Sequence, residues 1–336
     1  MKKMFLLIVS VLVLISCNPQ ENANSHEFNG EALGTTYMVR YFSEDDLKFE
    51  IALDSILEDI NSSMSTYIIK SDISRINRGD TTVKVDEHFV KVFNASEKIF
   101  KETEGFFDPT VGVLVNAYGF GPGKALKQVD SVRLDSLKNL VGFDKIKLED
   151  HIFRKQHPSI YLDFNAIAKG YTIDVIAYYL EAKNVENYLI ELGGELRAEG
   201  KNLESDSAWI VGIDDPNQEE GDRKLQAKVK LFNAAMATSG NYRKYRTDSL
   251  TGQKFVHTIN PLSGKAERSN LLSASVIAEN CMLADGYATA FMALGLERTK
   301  DVLKNLDAVE AYILYSSEEG TMEIFSTSGF QERLVE

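Results

Sequence analysis

The chain has 336 residues, 50 acidic against 37 basic side chains, a formal net charge of −13 at pH 7 and 44% apolar content. That balance argues against nucleic acid, whose binding rests on Lys/Arg–phosphate contacts, and leaves no polybasic patch for anionic lipid. The length and apolar content allow one large domain, or two intimately joined lobes, with a proper core.

Lys2 and Lys3 precede an apolar stretch from Met4 to Ile15, closed by Ser16-Cys17. The stretch is shorter than the roughly 20 helical residues that span a bilayer core, and behind two lysines it reads as a secretory signal. A cysteine after a small residue resembles the lipobox of bacterial lipoproteins. Residues 1–16 are therefore expected to be a signal peptide, Cys17 a lipidated mature N-terminus, and 17–29 a polar tether. A working domain over 30–336 follows. Multiple acyl chains, each buried methylene contributing about 0.8 kcal/mol, hold such a protein stably on a membrane. With Cys17 acylated, Cys281 is the one thiol left and no intrachain disulfide can form. Loss of Lys2 and Lys3 takes the charge from −13 to −15.

After residue 30 there is no repeat, low-complexity run or Pro/Gly linker. Thr35 to Phe42 reads as a strand. Leu53, Ile56, Leu57, Ile60 and Met64 recur at helical steps, and Phe89, Val92, Phe93 and Ile99 mark a second helix. Lys169 to Ala182 and Met282 to Leu294 are expected as further helices. Strands are expected over Tyr188 to Leu192, Leu196 to Glu199, Trp209 to Ile213, Leu271 to Ile277 and Ala311 to Tyr315. Leu225, Ala227, Val229 and Leu231 alternate with polar residues, as in a strand with one wet face. Without a regular βαβ rhythm, these elements predict an α+β fold of mixed helices and largely antiparallel strands.

Several familiar sites are missing. There is no phosphate-binding G-x-x-x-x-G-K-[ST] loop, no strand–G-x-G-x-x-G–helix unit, no zinc-spaced His/Cys cluster and no G-x-S-x-G elbow. Gly119-Phe120-Gly121-Pro122-Gly123 reads as a loop. What remains is polar residues inside apolar text. Asp163-Phe164-Asn165-Ala166-Ile167-Ala168-Lys169-Gly170-Tyr171 sets a carboxylate and a lysine around small residues at a helix start, where backbone N–H groups and the dipole favour phosphate. The same segment also reads as an Asp cap beside a surface lysine. In Ala284-Asp285-Gly286-Tyr287-Ala288-Thr289-Ala290, Asp285 and Thr289 share one helix face. Their oxygens suit a hard ion such as Mg²⁺, although a solvated capping Asp fits the spacing as well. Gly105-Phe106-Phe107-Asp108-Pro109-Thr110-Val111-Gly112 could stack on a planar ring, and His257-Thr258-Ile259-Asn260-Pro261-Leu262-Ser263-Gly264 could move a proton near neutral pH. Both are also ordinary turns.

Together these segments resemble the ApbE family, the FAD:protein FMN transferases. Leu33-Gly34-Thr35-Thr36-Tyr37, Met64-Ser65-Thr66-Tyr67, Ser71-Asp72-Ile73-Ser74-Arg75, Gly193-Gly194 and Ala237-Thr238-Ser239-Gly240 complete the ordered set. The resemblance implies an α+β fold with flavin bound in a cleft between lobes. It implies that Leu33, Tyr67, Phe106, Phe107 and Asp108 line the flavin and ribityl side, and that Asp163, Lys169 and Ile259 contact the rest of FAD. The carbonyl of Ala166, with Asp285, Ala288 and Thr289, would surround Mg²⁺, and His257 is the candidate base. Four positions depart from the family's pattern: Leu33 for Met, Phe106 for a small residue, Glu195 for Asp or Asn, and Asn260 for Asp. The expected reaction moves FMN from FAD onto a threonine or serine of an exported flavoprotein and releases AMP. The expected place is the inner membrane, facing the periplasm. An FAD pyrophosphatase, or a lipoprotein that binds flavin without turnover, remains the alternative.

Overall fold

The computed structural model describes residues 23–126, 129–218, 222–240, 245–247, 254–256, 258–266 and 269–335. Cys17 and His257 lie outside them. The chain opens with a hairpin of β1 (Asn24–Ala32) and β2 (Thr35–Ser43). Its tip is Leu33-Gly34, with φ of 50° and 77°. Two successive positive-φ residues form the tight turn whose twist matches that of paired strands. Asn24–Asn29, expected as tether, are instead strand, in register from Asn24 opposite Ser43. His26 stacks on Tyr41 at 5.0 Å, and Phe28 lies 5.0 Å from Phe49. An edge strand needs only one covered face, so its polar composition hid it.

Helices α1 (Phe49–Met64), α2 (Asp72–Asn77), α3 (Glu87–Glu102), α4 (Gly112–Tyr118) and α5 (Ser131–Lys138) come next. The small hairpin β3 (Ile146–Glu149) and β4 (Ile152–Lys155) leads to α6 (Ala168–Ala182). Then come β5 (Tyr188–Leu192), β6 (Glu195–Glu199), β7 (Trp209–Asp214), β8 (Leu225–Leu231), β9 (Ala234–Gly240), β10 (Tyr245–Thr247), β11 (Lys254–Val256) and β12 (Leu271–Ala278). The chain closes with α7 (Cys281–Leu294), α8 (Leu296–Leu303), β13 (Glu310–Ser316), β14 (Met322–Ser326), α9 (Ser328–Gln331) and β15 (Leu334–Val335).

Eight strands form one sheet in the order β1-β2-β5-β6-β9-β12-β13-β14, antiparallel at every step. The period-two alternation of side chains then builds three layers. Val39, Tyr41, Tyr188 and Ile190 turn to α1 and α6, while Val276 and Ile313 turn to α3 and α7. Their neighbours Phe42, Leu189, Ile277 and Leu314 pack on the opposite face against the sheet β15-β8-β7. The expected α+β class, with helices and antiparallel strands, is what the chain forms. Among the described residues no helix is long and apolar enough to cross a membrane.

Candidate functional site

The site forms where two helices and two hairpin tips meet. α6 crosses α7 at Gly170: a Cβ there would stand 2.2 Å from the Cys281 carbonyl oxygen and 2.9 Å from Asp285 Cβ. Only glycine allows this approach, and it lets Gly170 N–H donate to Asp285 Oδ2 at 3.1 Å. Beside it, Lys169 Nζ lies 2.5 Å from Glu195 Oε1 and 3.8 Å from Asp285 Oδ1. Glu195 begins β6 behind the Gly193-Gly194 turn, whose φ values are 66° and 104°. A Cβ on Gly193 would meet Thr35 Oγ1 at 3.1 Å and Glu195 Oε2 at 3.3 Å. The turn that carries Leu33 therefore lies against the turn that carries Glu195.

The charges here are strongly perturbed. Burial alone would lower the Lys169 ammonium, but Asp285 and Glu195 overcome it and hold Lys169 above the usual lysine range. Burial, opposed by Lys169 and reinforced by Asp285, pushes the Glu195 carboxyl up to about 7. Asp285 is 2% exposed and lies inside α7, so it is no solvated cap. Capping of α7 is done by Asn280, which accepts from Leu283 N–H, and by Asp174 of α6, which accepts from Cys281 and Met282 at 3.0 and 2.8 Å. Those bonds leave the start of α7 no ready anion site.

Thr289 follows Asp285 by one turn and meets Ser239 of β9, hydroxyl to hydroxyl at 3.2 Å. Asp285 and the Thr289 hydroxyl are hard oxygen donors, and Ala288 is wholly buried in the core; Ala166 packs, partly buried, against the same core. Among the described residues no three His, Cys, Asp or Glu side chains form a metal cluster. Mg²⁺ does not need one, since it takes one or two carboxylates with waters and substrate phosphates. Glu195 Oε2 is buried without a hydrogen-bond partner among the described residues. A cation beside that oxygen would satisfy it, so the residues present fit Mg²⁺.

A second group lines the approach. Asp163 does not cap α6, which starts at Ala168 after an N-cap Ile167 with no side-chain cap. Its Oδ1 instead accepts from Asn165 N–H at 2.8 Å, while its own N–H donates to the Pro109 carbonyl at 2.8 Å. Burial raises the Asp163 carboxyl. Tyr67 is 61% exposed, and its phenol is raised by partial burial and by Asp163. Asp108 folds back on its loop, accepting from Thr110 N–H at 2.8 Å and Thr110 Oγ1 at 2.6 Å. Phe106 and Phe107 are buried in the main core, at 7% and 4% exposure. The expected aromatic platform is thus not an open surface, because both rings serve the core; the exposed aromatic of this group is Tyr67. Ile259 packs with Leu114, Tyr118, Val141 and Ala266 on the α4 side.

Sequence reasoning missed Tyr161, whose phenol is raised by burial and reached by hydrogen bonds from Asn116 and Asn77. Asn77 also brackets Leu162, with both backbone bonds at 2.8 Å. Glu195 was noticed only as a departure from a pattern. A pair 26 residues apart leaves no spacing signal.

A model of the ApbE family matches residues 33–313. The chain is 34% identical over 334 residues to the FAD:protein FMN transferase of Haemophilus influenzae, covering 95% of each chain. It is 31% identical to the FAD:protein FMN transferase of Vibrio cholerae, covering 98% of each. The structure of the flavin transferase ApbE from Vibrio cholerae superposes with a TM-score of 0.82 at 30% identity, over 93% of this chain and 100% of that one.

Proposed function

This chain belongs to the ApbE family, is an enzyme of the flavin-transferase kind, and we propose that it transfers FMN from FAD to a threonine or serine of an exported flavoprotein, releasing AMP. One observation carries the reading: Lys169, held between Glu195 and Asp285, stands where two family-matched segments cross. Asp285, Thr289 and the Ala166 carbonyl would hold Mg²⁺, flanked by Ala288. When bound there, the ion supplies positive charge to the diphosphate.

The chain's own groups do the rest. Lys169 is kept protonated by its two carboxylates and faces the phosphates. Leu33, Tyr67 and Asp108 border the flavin, with Phe106 and Phe107 fixing the Asp108 loop from behind. Asp163 and Ile259 border the remainder of FAD. The acceptor oxygen forms a bond to the FMN phosphorus as the bond to AMP breaks, and the acceptor proton passes to His257. Positioning of this sort supplies roughly 7–11 kcal/mol of a barrier. Residues 1–16 direct export, and a lipid on Cys17 holds the enzyme on the inner membrane, facing the periplasm.

The test is AMP release from FAD and Mg²⁺ with and without an acceptor polypeptide. Acceptor-dependent AMP supports the transferase. AMP with water alone would make the protein a pyrophosphatase, and no AMP in either case would make it a binder.

A further inference from the structure

Lys169, Glu195 and Asp285 form a cluster of two carboxylates and one ammonium. The Glu195 and Asp285 side chains are 5% and 3% exposed, and that of Lys169 is 28% exposed. Asp285 spends Oδ2 on Gly170 N–H, and Glu195 spends Oε1 on Lys169. Oε2 of Glu195 is left with no hydrogen-bond partner among the described residues. A buried acceptor without a donor is costly. It is nonetheless fixed in place, because Glu195 follows directly on the tight Gly193-Gly194 turn and its other oxygen is anchored. With both carboxylates ionised the cluster carries one excess negative charge and an unsatisfied oxygen, at the point where the proposed function requires a diphosphate to bind.

We infer that Glu195 sets the order of loading, cation before FAD: its carboxylate charge holds FAD affinity down at the cation-free site, and its free oxygen helps draw the cation in. This rests on the FAD and Mg²⁺ reading of the same site. Charge counting gives the sign of each consequence. The three side chains sum to −1 when ionised, and a bound divalent ion turns that to +1. Neutralising Glu195 brings the cation-free cluster to zero, so FAD gains affinity without Mg²⁺ while Mg²⁺ itself binds more weakly. Removing the Lys169 charge takes the cluster to −2, so Mg²⁺ alone binds more tightly. A structural role for the Glu195–Lys169 pair would not move Mg²⁺ affinity in opposite directions for its two members.

The experiment uses the full chain in detergent. Mg²⁺ is titrated calorimetrically without FAD, and FAD is titrated by flavin fluorescence in EDTA and in saturating Mg²⁺. Wild type is expected to bind FAD at least about tenfold more tightly with Mg²⁺, since one unit charge a few ångströms from a divalent ion carries at least that weight in a protein interior. In Glu195→Gln, Mg²⁺ should bind about tenfold more weakly and FAD in EDTA should bind about tenfold more tightly. Glu195→Asp, which keeps the charge, should keep both wild-type affinities. Lys169→Met should tighten Mg²⁺ binding, which keeps the sign measurable even where Glu195→Gln does not fold. Wild-type FAD affinity in EDTA or wild-type Mg²⁺ affinity in Glu195→Gln, or weaker Mg²⁺ binding in Lys169→Met, overturns the inference. FAD binding to wild type that ignores Mg²⁺ also overturns it. A wild type that binds no FAD at all overturns instead the reading of the site on which the inference stands.

Discussion

Gly170→Ala is the sharpest perturbation of the crossing on which the site is built. In an ordinary exposed helix this change stabilises by about 1 kcal/mol, through helix propensity. Here the new Cβ would stand 2.2 Å from Cys281 O, 2.6 Å from the Cys281 carbonyl carbon and 2.9 Å from Asp285 Cβ. Two of those atoms are backbone, so no side chain can swing away, and α6 and α7 must part by about 1 Å to reach ordinary contact. Overpacking of this kind costs about 1–3 kcal/mol. Weakening the Gly170 N–H bond to the Asp285 carboxylate adds about 1.5–3 kcal/mol. The balance is a loss of about 2–5 kcal/mol, or a melting temperature lower by about 3–7 °C in a chain of this size. Because Asp285 is displaced with α7, the Mg²⁺ concentration for half-maximal activity should rise as well. Differential scanning calorimetry and a Mg²⁺ titration of AMP release read the two effects. Gly34→Ala is the control: φ is 77° but no atom lies within 4 Å of the added Cβ, so only about 1–2 kcal/mol of left-handed backbone strain is expected. A Gly170→Ala protein that melts within about 2 °C of wild type and keeps its Mg²⁺ requirement would mean that the α6–α7 crossing does not depend on this glycine.

Asp174→Ala removes the acceptor that caps α7 and leaves Arg197, 14% exposed and 2.8 Å from Asp174, with Glu181 as its remaining carboxylate partner among the described residues; urea melts should show a loss of about 3–5 kcal/mol. Burial pushes the Asp108 carboxyl up to about 6 against the hydrogen bonds from Thr110. A raised carboxyl favours the fold below its unfolded pKa and loses that advantage as pH climbs to the folded value. Asp108→Asn, which keeps an acceptor for Thr110, should therefore match wild type near pH 4 and exceed its stability by on the order of 2 kcal/mol at pH 7; denaturant midpoints at the two pH values check this. Cys17→Ala should abolish metabolic labelling by a fatty acid that marks the wild type, and equal labelling of both would rule out the anchor.

Much of the architecture follows from patterns the sequence displays openly. Leu53, Ile60 and Met64 bury one stripe of α1, and the alternation over Leu225–Leu231 is the strand it predicts. β1 escaped because an edge strand can be polar on its outer side, so Asn24–Asn29 have the composition of a tether. The site was only partly visible for a related reason. Asp285 and Thr289 are one helical turn apart and announce their shared face, whereas Lys169 and Glu195 meet only because the β5–β6 turn is folded against α6. Phe106 and Phe107 show a different limit: aromatic residues at a turn suggest a ring platform, while hydrophobic burial draws both rings inward in this structure. His257 and Cys17 belong to the expectations outside the described residues.

The central claim is that this chain forms a covalent bond between FMN and another protein. Mass spectrometry of an exported flavoprotein fragment, incubated with FAD, Mg²⁺ and the full-length enzyme, tests it directly. A gain of one FMN phosphoryl unit on a single threonine or serine is expected, lost when that residue is replaced by alanine. Steady AMP release with no mass gain on any acceptor tried would contradict it.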